Sequence, residues 1–93
     1  MAKKRLRIDY TVYSPNHQPG DVCWDFRTLS KAKSASRGFG PGSRIYRNFN
    51  VESKRGKIDH DWWSSRFYWS WNGQEFLRKI DPSISMTARM GPY

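Results

Sequence analysis

The fold is decided by residues 57–80, which read KIDHDWWSSRFYWSWNGQEFLRKI and hold four of the five tryptophans. Within this stretch Phe67, Trp69 and Trp71 alternate with smaller or more polar residues. A period of two is the spacing of a β-strand, whose successive side chains point to opposite faces. The stretch therefore predicts a strand at the hydrophobic centre of a small antiparallel sheet.

A turn signal, Asn72-Gly73, follows this strand directly. Asn-Gly favours a type I′ turn, so it predicts a hairpin in which Trp69 lies opposite Phe76. An alternative is that Asn72 caps a helix, with Glu75 completing a capping-box-like pattern. The hairpin is favoured because the turn signal comes immediately after a strong strand pattern.

Alternating runs also occur outside this stretch, at residues 5–13, 21–27 and 42–51. Each predicts a strand with one apolar row and one polar row. The rows predicted to face inward are Leu6, Ile8, Tyr10 and Val12; Val22, Trp24 and Phe26; and Ile45, Phe49 and Val51, with Arg47 as a misfit. The adjacent rings Trp62-Trp63 interrupt the period and predict a bulge or corner.

The segment 28–38, TLSKAKSASRG, changes to helical spacing. Thr28 or Ser30 can cap the start of a helix, and Gly38 suits its end. Its apolar stripe is thin and made of small residues, so we expect it to lie close against the sheet and to present a basic outer face.

The predicted fold is α+β: a small twisted antiparallel sheet of four to five strands, ordered ββαβββ, with one short helix packed on it. Residues 1–80 are expected to form a single domain, and residues 81–93 an extended C-terminal tail. Flexible X–Pro bonds in this tail and at Gly40-Pro41 isomerise slowly, which makes a host prolyl isomerase a candidate partner.

Charge is the strongest compositional signal, with 17 Lys and Arg against 8 Asp and Glu, a net charge of +9. Such a surface attracts polyanions, of which nucleic acid is the commonest; an acidic protein surface is an alternative. No apolar run approaches the twenty residues of a membrane span, and we expect no membrane partner. The single cysteine, Cys23, fits a reducing compartment, so a cytoplasmic location is expected.

Catalytic and metal-binding patterns are weak. The two histidines, His17 and His60, have no serine or cysteine nucleophile at a recognisable spacing. In Asp59-His60-Asp61, adjacent strand residues point to opposite faces and do not converge on one metal ion. We therefore expect a non-enzymatic protein without a cofactor or metal.

The outer row of the predicted sheet carries the candidate binding residues. Arg44 and Tyr46 on one strand repeat the spacing of Arg66 and Tyr68 on another, and Arg7 shares that side. Arginine contacts phosphates and tyrosine offers a stacking face, a combination that suits single-stranded nucleic acid or a protein interface. An ordinary solvated face is the alternative. A second group of basic residues is predicted either to contact phosphates or only to increase solubility: Lys31, Lys33, Arg37, Lys54, Arg55 and Lys57.

The helix segment TLSKAKSASR at 28–37, followed by a glycine loop and a hairpin ending in Asn-Gly, resembles small phage-encoded inhibitors, of which the anti-CRISPR proteins are the best-known group. This resemblance implies a compact protein that docks on a host nucleic-acid-processing complex in the host cytoplasm and inhibits or modifies it. A CRISPR surveillance complex and a recombination nuclease are the candidate targets. The alternative function is direct binding of single-stranded DNA or RNA on the Arg/Tyr face.

Overall fold

The structure is a computed structural model that describes residues 4–53 and 58–84, and the side chains of 6–50 and 63–84. Its elements in chain order are β1 (Lys4–Tyr13), β2 (Trp24–Phe26), α1 (Leu29–Phe39), β3 (Arg44–Ser53), β4 (Ile58–Trp71) and β5 (Phe76–Ile80). The strands form one antiparallel sheet in the order β2-β1-β3-β4-β5. The predicted α+β fold, with five strands and one helix, is confirmed.

The helix α1 begins where Thr28 accepts a hydrogen bond from the amide of Lys31, at 3.2 Å. It runs past Gly38, the predicted end, and is capped by Gly40 instead. The Gly40 amide donates to the carbonyl of Ser36 at 3.2 Å, and its φ of 98° lies in the region that glycine tolerates best.

The core lies between α1 and strands β1 and β3. Val12, Ala32 and Ile45 form its fully buried centre. The partly buried residues around it are Tyr10, Phe26, Leu29, Ala35, Phe39, Trp69 and Phe76. The hydroxyls of Ser36 and Ser43, also buried, hydrogen-bond to each other, so the close contact leaves these polar groups paired. The predicted close approach of a small-residue helix is confirmed.

Strand β2 is shorter than the predicted 21–27, because only Trp24–Phe26 pairs with β1. Val22 lies outside the strand and is 70% exposed, so its predicted inward placement is wrong. Trp24 is also exposed, although its ring packs on Phe39 with centroids 4.8 Å apart. The core is completed by the helix rather than by a seven-residue strand.

The β4–β5 hairpin is real, but its predicted register is wrong by two residues. Phe76 pairs with Trp71 rather than Trp69, and Trp69 pairs with Arg78. Because the side-chain period of a strand is two, this shift leaves each residue on the face predicted for it. The helical alternative for the second arm is wrong, since Phe76–Ile80 is a strand.

The turn before β5 explains the shift. Asn72 donates its amide to the carbonyl of Glu75, and its side-chain Oδ1 accepts the amides of Gln74 and Glu75 at 2.8 and 2.7 Å. A four-residue turn therefore replaces the predicted two-residue turn. The Asn72 side chain, which would cap a helix in the alternative prediction, instead accepts hydrogen bonds within this turn. Gly73 has φ 97°, and a Cβ there would lie 3.2 Å from Pro41 Cγ.

Strand β4 pairs irregularly with β3. The register shifts between Tyr46 and Asn48, and again between Asn50 and Glu52. The second irregularity starts at Trp62, the partner of Asn50, where the sequence predicts a bulge. Of the predicted tail, residues 81–84 are described and 85–93 lie outside the described residues, as does the candidate isomerase substrate at Pro92.

Candidate binding surfaces

The sheet face turned away from α1 brings together most of the predicted Arg/Tyr residues. The rings of Tyr46 and Tyr68 stack, with centroids 4.8 Å apart and planes at 15°. The guanidinium of Arg44 lies over Tyr46 and over Tyr13, at 6.0 and 5.5 Å from the ring centroids. We call these four residues the tyrosine face. Strand periodicity predicts their shared side correctly.

Tyr46 nevertheless offers no free ring for a ligand, since only 6% of its surface is exposed. It is packed against Tyr68 on one side and meets the edge of Tyr13, with centroids 5.5 Å apart. Its hydroxyl donates to Asp81 Oδ2 at 2.7 Å. The prediction that Tyr46 is an exposed stacking platform is therefore wrong, because the molecule itself covers it.

The hydrogen bond between Tyr46 and Asp81 sets the ionisation of both groups. Burial raises the pKa of the Tyr46 phenol, and the bond to Asp81 raises this pKa further. The pKa of Asp81 is lowered by hydrogen bonds from the Ser83 hydroxyl, the Tyr46 hydroxyl and the Ser83 amide. At neutral pH a phenol donor faces a carboxylate acceptor, and the segment after β5 is tied to the sheet.

The tyrosine face continues into a polar network with acidic members. Asn48 donates to Asp9 at 3.1 Å and to Thr11 at 2.6 Å, and it accepts from Ser64 at 2.6 Å. Thr11 in turn donates to Asp25 at 2.6 Å. Carboxylates of Asp9, Asp25 and Asp81 therefore lie on the same side of the sheet as the predicted arginines, and this face has a mixed charge.

The other two predicted arginines lie on the same side of the sheet, Arg7 near the start of β1 and Arg66 two residues along β4 from Tyr68. Arg7 is paired with Asn50, six residues along β1 from Tyr13. Arg66 is half-buried, its Nε is enclosed, and its carbonyl accepts the amide of Asp81. The five predicted residues share one side of the sheet but do not form one exposed cationic surface.

The second predicted basic group is only partly described. Lys31 is exposed on α1, whereas Lys33 and Arg37 lean over the ring of Phe76, at 5.3 and 5.2 Å from its centroid. The remaining members, Lys54, Arg55 and Lys57, have side chains outside the described residues. Two cations of α1 therefore contact an aromatic ring of the β4–β5 hairpin.

Cations and rings interleave on the helix-facing side of the sheet. Arg47 lies over Tyr10 and Trp69, at 5.6 and 5.3 Å from the ring centroids. Arg78 lies over Phe67 and Trp69, at 5.3 and 5.7 Å. We call the whole set the cation–aromatic strip: Lys33, Arg37, Arg47 and Arg78 with Tyr10, Phe67, Trp69, Trp71 and Phe76.

The strip combines positive charge with π-faces. A cation over a ring within about 6 Å is attracted by the ring quadrupole. Within the described residues these four cations contact aromatic rings and no carboxylate, so their N–H donors are open to a ligand there. Beyond Arg47 on β3, the half-buried rings of Phe49 and Trp63 stack, with centroids 5.2 Å apart.

Arg47 and Arg78 are the two cations of the strip that the sequence prediction did not assign to binding, and it assigned none of the five rings to binding either. The pattern did mark Arg47 as a misfit between Ile45 and Phe49, and Arg78 falls on the row of Phe76 and Ile80. A cation inside an apolar row is the sequence signal that would have found them. The reason for these cations is that they lie over rings on neighbouring strands, and which strands are neighbours can be known only from the strand order.

Other guides to function give no lead. Among the described residues there is no group of three or more His, Cys, Asp and Glu placed to hold a metal ion. No helix in the described part of the chain is long and apolar enough to cross a membrane. Comparisons of the chain with protein-family models, with curated proteins and with solved structures find no match.

Proposed function

We propose that this protein is a small basic binding protein, without catalytic activity, that binds single-stranded nucleic acid along the cation–aromatic strip. One observation carries the proposal: four cations lie over five aromatic rings on one side of the sheet. Proteins that bind single strands combine cations that follow the phosphates with rings on which bases stack.

The distribution of charge supports the strip over the tyrosine face. On the side of the tyrosine face, the carboxylates of Asp9, Asp25 and Asp81 lie among the predicted arginines, and Tyr46 is covered. The strip has cations and rings, and the chain as a whole carries a net charge of +9 that steers polyanions toward it. A polyanion therefore gains more from the helix-facing side.

The rings favour unpaired bases over a duplex. Bases inside a duplex are stacked on each other, and their faces are closed to side chains. Stacking of a free base on an aromatic side chain contributes about 1–3 kcal/mol and tolerates any base. We therefore expect weak sequence preference and a preference for single strands over double strands.

Two charge-matched double variants test the proposal. Arg47→Gln with Arg78→Gln removes two cations from the strip, and Arg44→Gln with Arg66→Gln removes two from the opposite side. Binding of fluorescein-labelled dT and rU 20-mers is measured by fluorescence anisotropy. We expect the strip variant to lose at least about tenfold in affinity, since each charged hydrogen bond contributes about 1.5–3 kcal/mol.

The control variant should lose about threefold or less, since removing charge far from the ligand acts only through the long-range field. Equal losses in the two variants would show that bulk charge alone attracts the strand, and the strip would not be the site. Failure of the unaltered protein to bind either 20-mer at low salt would overturn the proposal. Circular dichroism checks that both variants remain folded.

A second candidate function is docking on a host nucleic-acid-processing complex, as phage-encoded inhibitors do. The observation that favours it is exposed apolar surface on the same side of the sheet, from Leu6, Ile8 and Ile80. Apolar and arginine side chains together are typical of protein interfaces. A pull-down from host lysate after nuclease treatment tests it: one complex retained without nucleic acid supports docking, and its loss on nuclease treatment contradicts it.

A further inference from the structure

We infer that the free edge of β5 binds an extended acidic segment of a partner protein, which adds to the sheet as a sixth strand. This inference goes beyond nucleic-acid binding, because it concerns the backbone edge and a peptide ligand. Strand addition is a recurrent mode of peptide recognition, in which main-chain hydrogen bonds give affinity and side chains give specificity.

Among residues 4–53 and 58–84, β5 is the last strand of the sheet and pairs with β4 alone, so its outer edge has no partner strand from that part of the chain. Two hydrogen bonds fix which backbone groups are free: the Asn72 amide donates to Glu75, and the Asp81 amide donates to Arg66 at 2.8 Å. Residue pairs in an antiparallel ladder alternate between bonded and non-bonded. Between these two bonded pairs, Leu77 and Lys79 therefore bond to β4.

The alternation turns the amides and carbonyls of Phe76, Arg78 and Ile80 outward. An independent contact agrees with this assignment. Trp71, the partner of Phe76, donates its amide to Ser43 and accepts from the amide of Gly42 at 2.7 Å. Both backbone groups of Trp71 therefore point away from β5, as a non-bonded pair requires.

The side chains of β5 do not close this edge. The strand reads FLRKI, with no proline inside it, and Ile80 is 55% exposed. Natural edge strands are commonly blunted by proline, bulges or charge. Of these devices β5 has charge alone, from the adjacent Arg78 and Lys79.

That charge selects the partner. A second copy of β5 paired antiparallel about its centre would place Arg78 opposite Arg78, and like charges directly opposite are destabilising. An acidic strand would instead place carboxylates opposite these cations, near Lys33 and Arg37, which lie over Phe76. Charge complementarity therefore favours an acidic segment of another protein over self-association.

Two synthetic peptides test this inference on the full-length protein. The probe alternates Glu and Val over eight residues, and the control has the same sequence with every internal amide N-methylated. The control keeps its length and charge but has no internal backbone N–H to donate, so it cannot form the paired hydrogen bonds of an antiparallel ladder. We expect the probe to bind at least tenfold more tightly; equal binding would show charge attraction without strand addition and would overturn the inference.

Amide hydrogen exchange followed by NMR gives the residue-level readout. Binding of the Glu–Val peptide should slow exchange at Phe76, Arg78 and Ile80 and leave Leu77 and Lys79 unchanged, since these two already bond to β4. Binding without this alternating protection would overturn the inference. The oligonucleotide-binding assay is independent of this result, so failure here leaves the proposed function testable by itself.

A backbone variant completes the test. Ile80→Pro removes an outward amide and keeps the inward ladder, whereas Ile80→Thr keeps both. We expect Ile80→Pro to weaken binding of the Glu–Val peptide about three- to tenfold relative to Ile80→Thr, the effect of one hydrogen bond. Equal affinity of two folded variants would overturn the inference. If Ile80→Pro does not fold, the hydrogen-exchange pattern of the unaltered protein decides whether the peptide adds to the edge of β5.

Discussion

At the scale of single residues, Tyr46 shows how a side chain that suits a ligand can serve the fold instead. Strand periodicity places it on the same side of the sheet as Arg44 and Tyr68, which the structure confirms, and the strand register brings it opposite Tyr68. Its burial depends on Tyr13 and on Asp81, a residue 35 positions further along the chain. A local pattern cannot reveal that contact, because it depends on how the chain returns after β5.

Tyr46→Phe should destabilise the protein by about 1.5–3 kcal/mol, the contribution of a hydrogen bond to a charged acceptor. Tyr68→Phe is the matched control, because its ring stacks on Tyr46 and no hydrogen bond of its hydroxyl is among the described contacts. We expect the control to change the free energy of unfolding by about 0.5 kcal/mol or less. Urea unfolding at pH 7 measures both, and equal destabilisation would contradict the role given to Asp81.

The pH dependence of this contact follows from the two pKa shifts. Asp81 has a lowered pKa in the folded state, so its contribution is present above the unfolded value, about 3.9, and is lost as pH falls through the folded value. Tyr46 has a raised pKa, so its contribution is present below its ordinary value of 10.0 and is lost only as pH rises through the higher folded value.

The stability difference between the unaltered protein and Tyr46→Phe should therefore be constant near neutral pH and shrink in acid. Unfolding free energies from pH 7 down to pH 2 measure it. A difference that does not change down to pH 2 would show that the Asp81 carboxylate is not the acceptor that matters.

At the scale of elements, the β4–β5 turn depends on one side-chain acceptor. Asn72→Ala removes the Oδ1 that accepts two amides, and we expect a loss of about 0.5–2 kcal/mol in the free energy of unfolding, as for a lost cap. Asn72→Asp keeps an acceptor and should cost less. Thermal or urea unfolding compares the two, and the same loss in both would assign the effect to the backbone instead.

The same hairpin shows what a sequence predicts and what it leaves open. Alternation from Phe67 to Trp71 is sufficient to predict the strand, and the Asn-Gly pair is sufficient to predict a turn. The turn length is not predictable from that pair, because the Asn72 side chain adds two residues to it. Since the error is an even number of residues, Arg78 stays on the row of Phe76 and the faces are right.

At the scale of the whole molecule, the predicted fold is confirmed, whereas the predicted binding surface stays a prediction from which the buried Tyr46 drops out. Period and turn signals are local, so they determine the elements and their faces. Which face is basic depends on strand order, because Asp9 and Asp25 reach the arginine side only when β2 and β1 pair beside β3. The strip depends equally on α1 lying across the sheet, so that Lys33 and Arg37 reach Phe76.

Salt dependence tests the proposed function for the molecule as a whole. For a single strand, the logarithm of affinity falls linearly with the logarithm of salt concentration, by about 0.7 for each phosphate neutralised. Four cations of the strip predict a slope of about −2.8, and removing Arg47 and Arg78 should reduce its magnitude by about 1.4. Oligonucleotide titrations from 50 to 300 mM salt measure it, and an unchanged slope in that variant would contradict direct phosphate contact.

The place of β1 between the short strand β2 and the long strand β3 has a consequence for how the chain is made. Strand β1 is synthesised before both of its partners: β2 pairs with only three of its residues, and its long partner β3 begins at Arg44. An unfinished chain therefore presents a bare strand edge, the feature through which nascent proteins aggregate. Sedimentation of a 1–42 fragment beside the full chain would show this, with the fragment pelleting and the full chain staying in solution. The edge of β1 stays exposed until β3 has been synthesised and pairs with it.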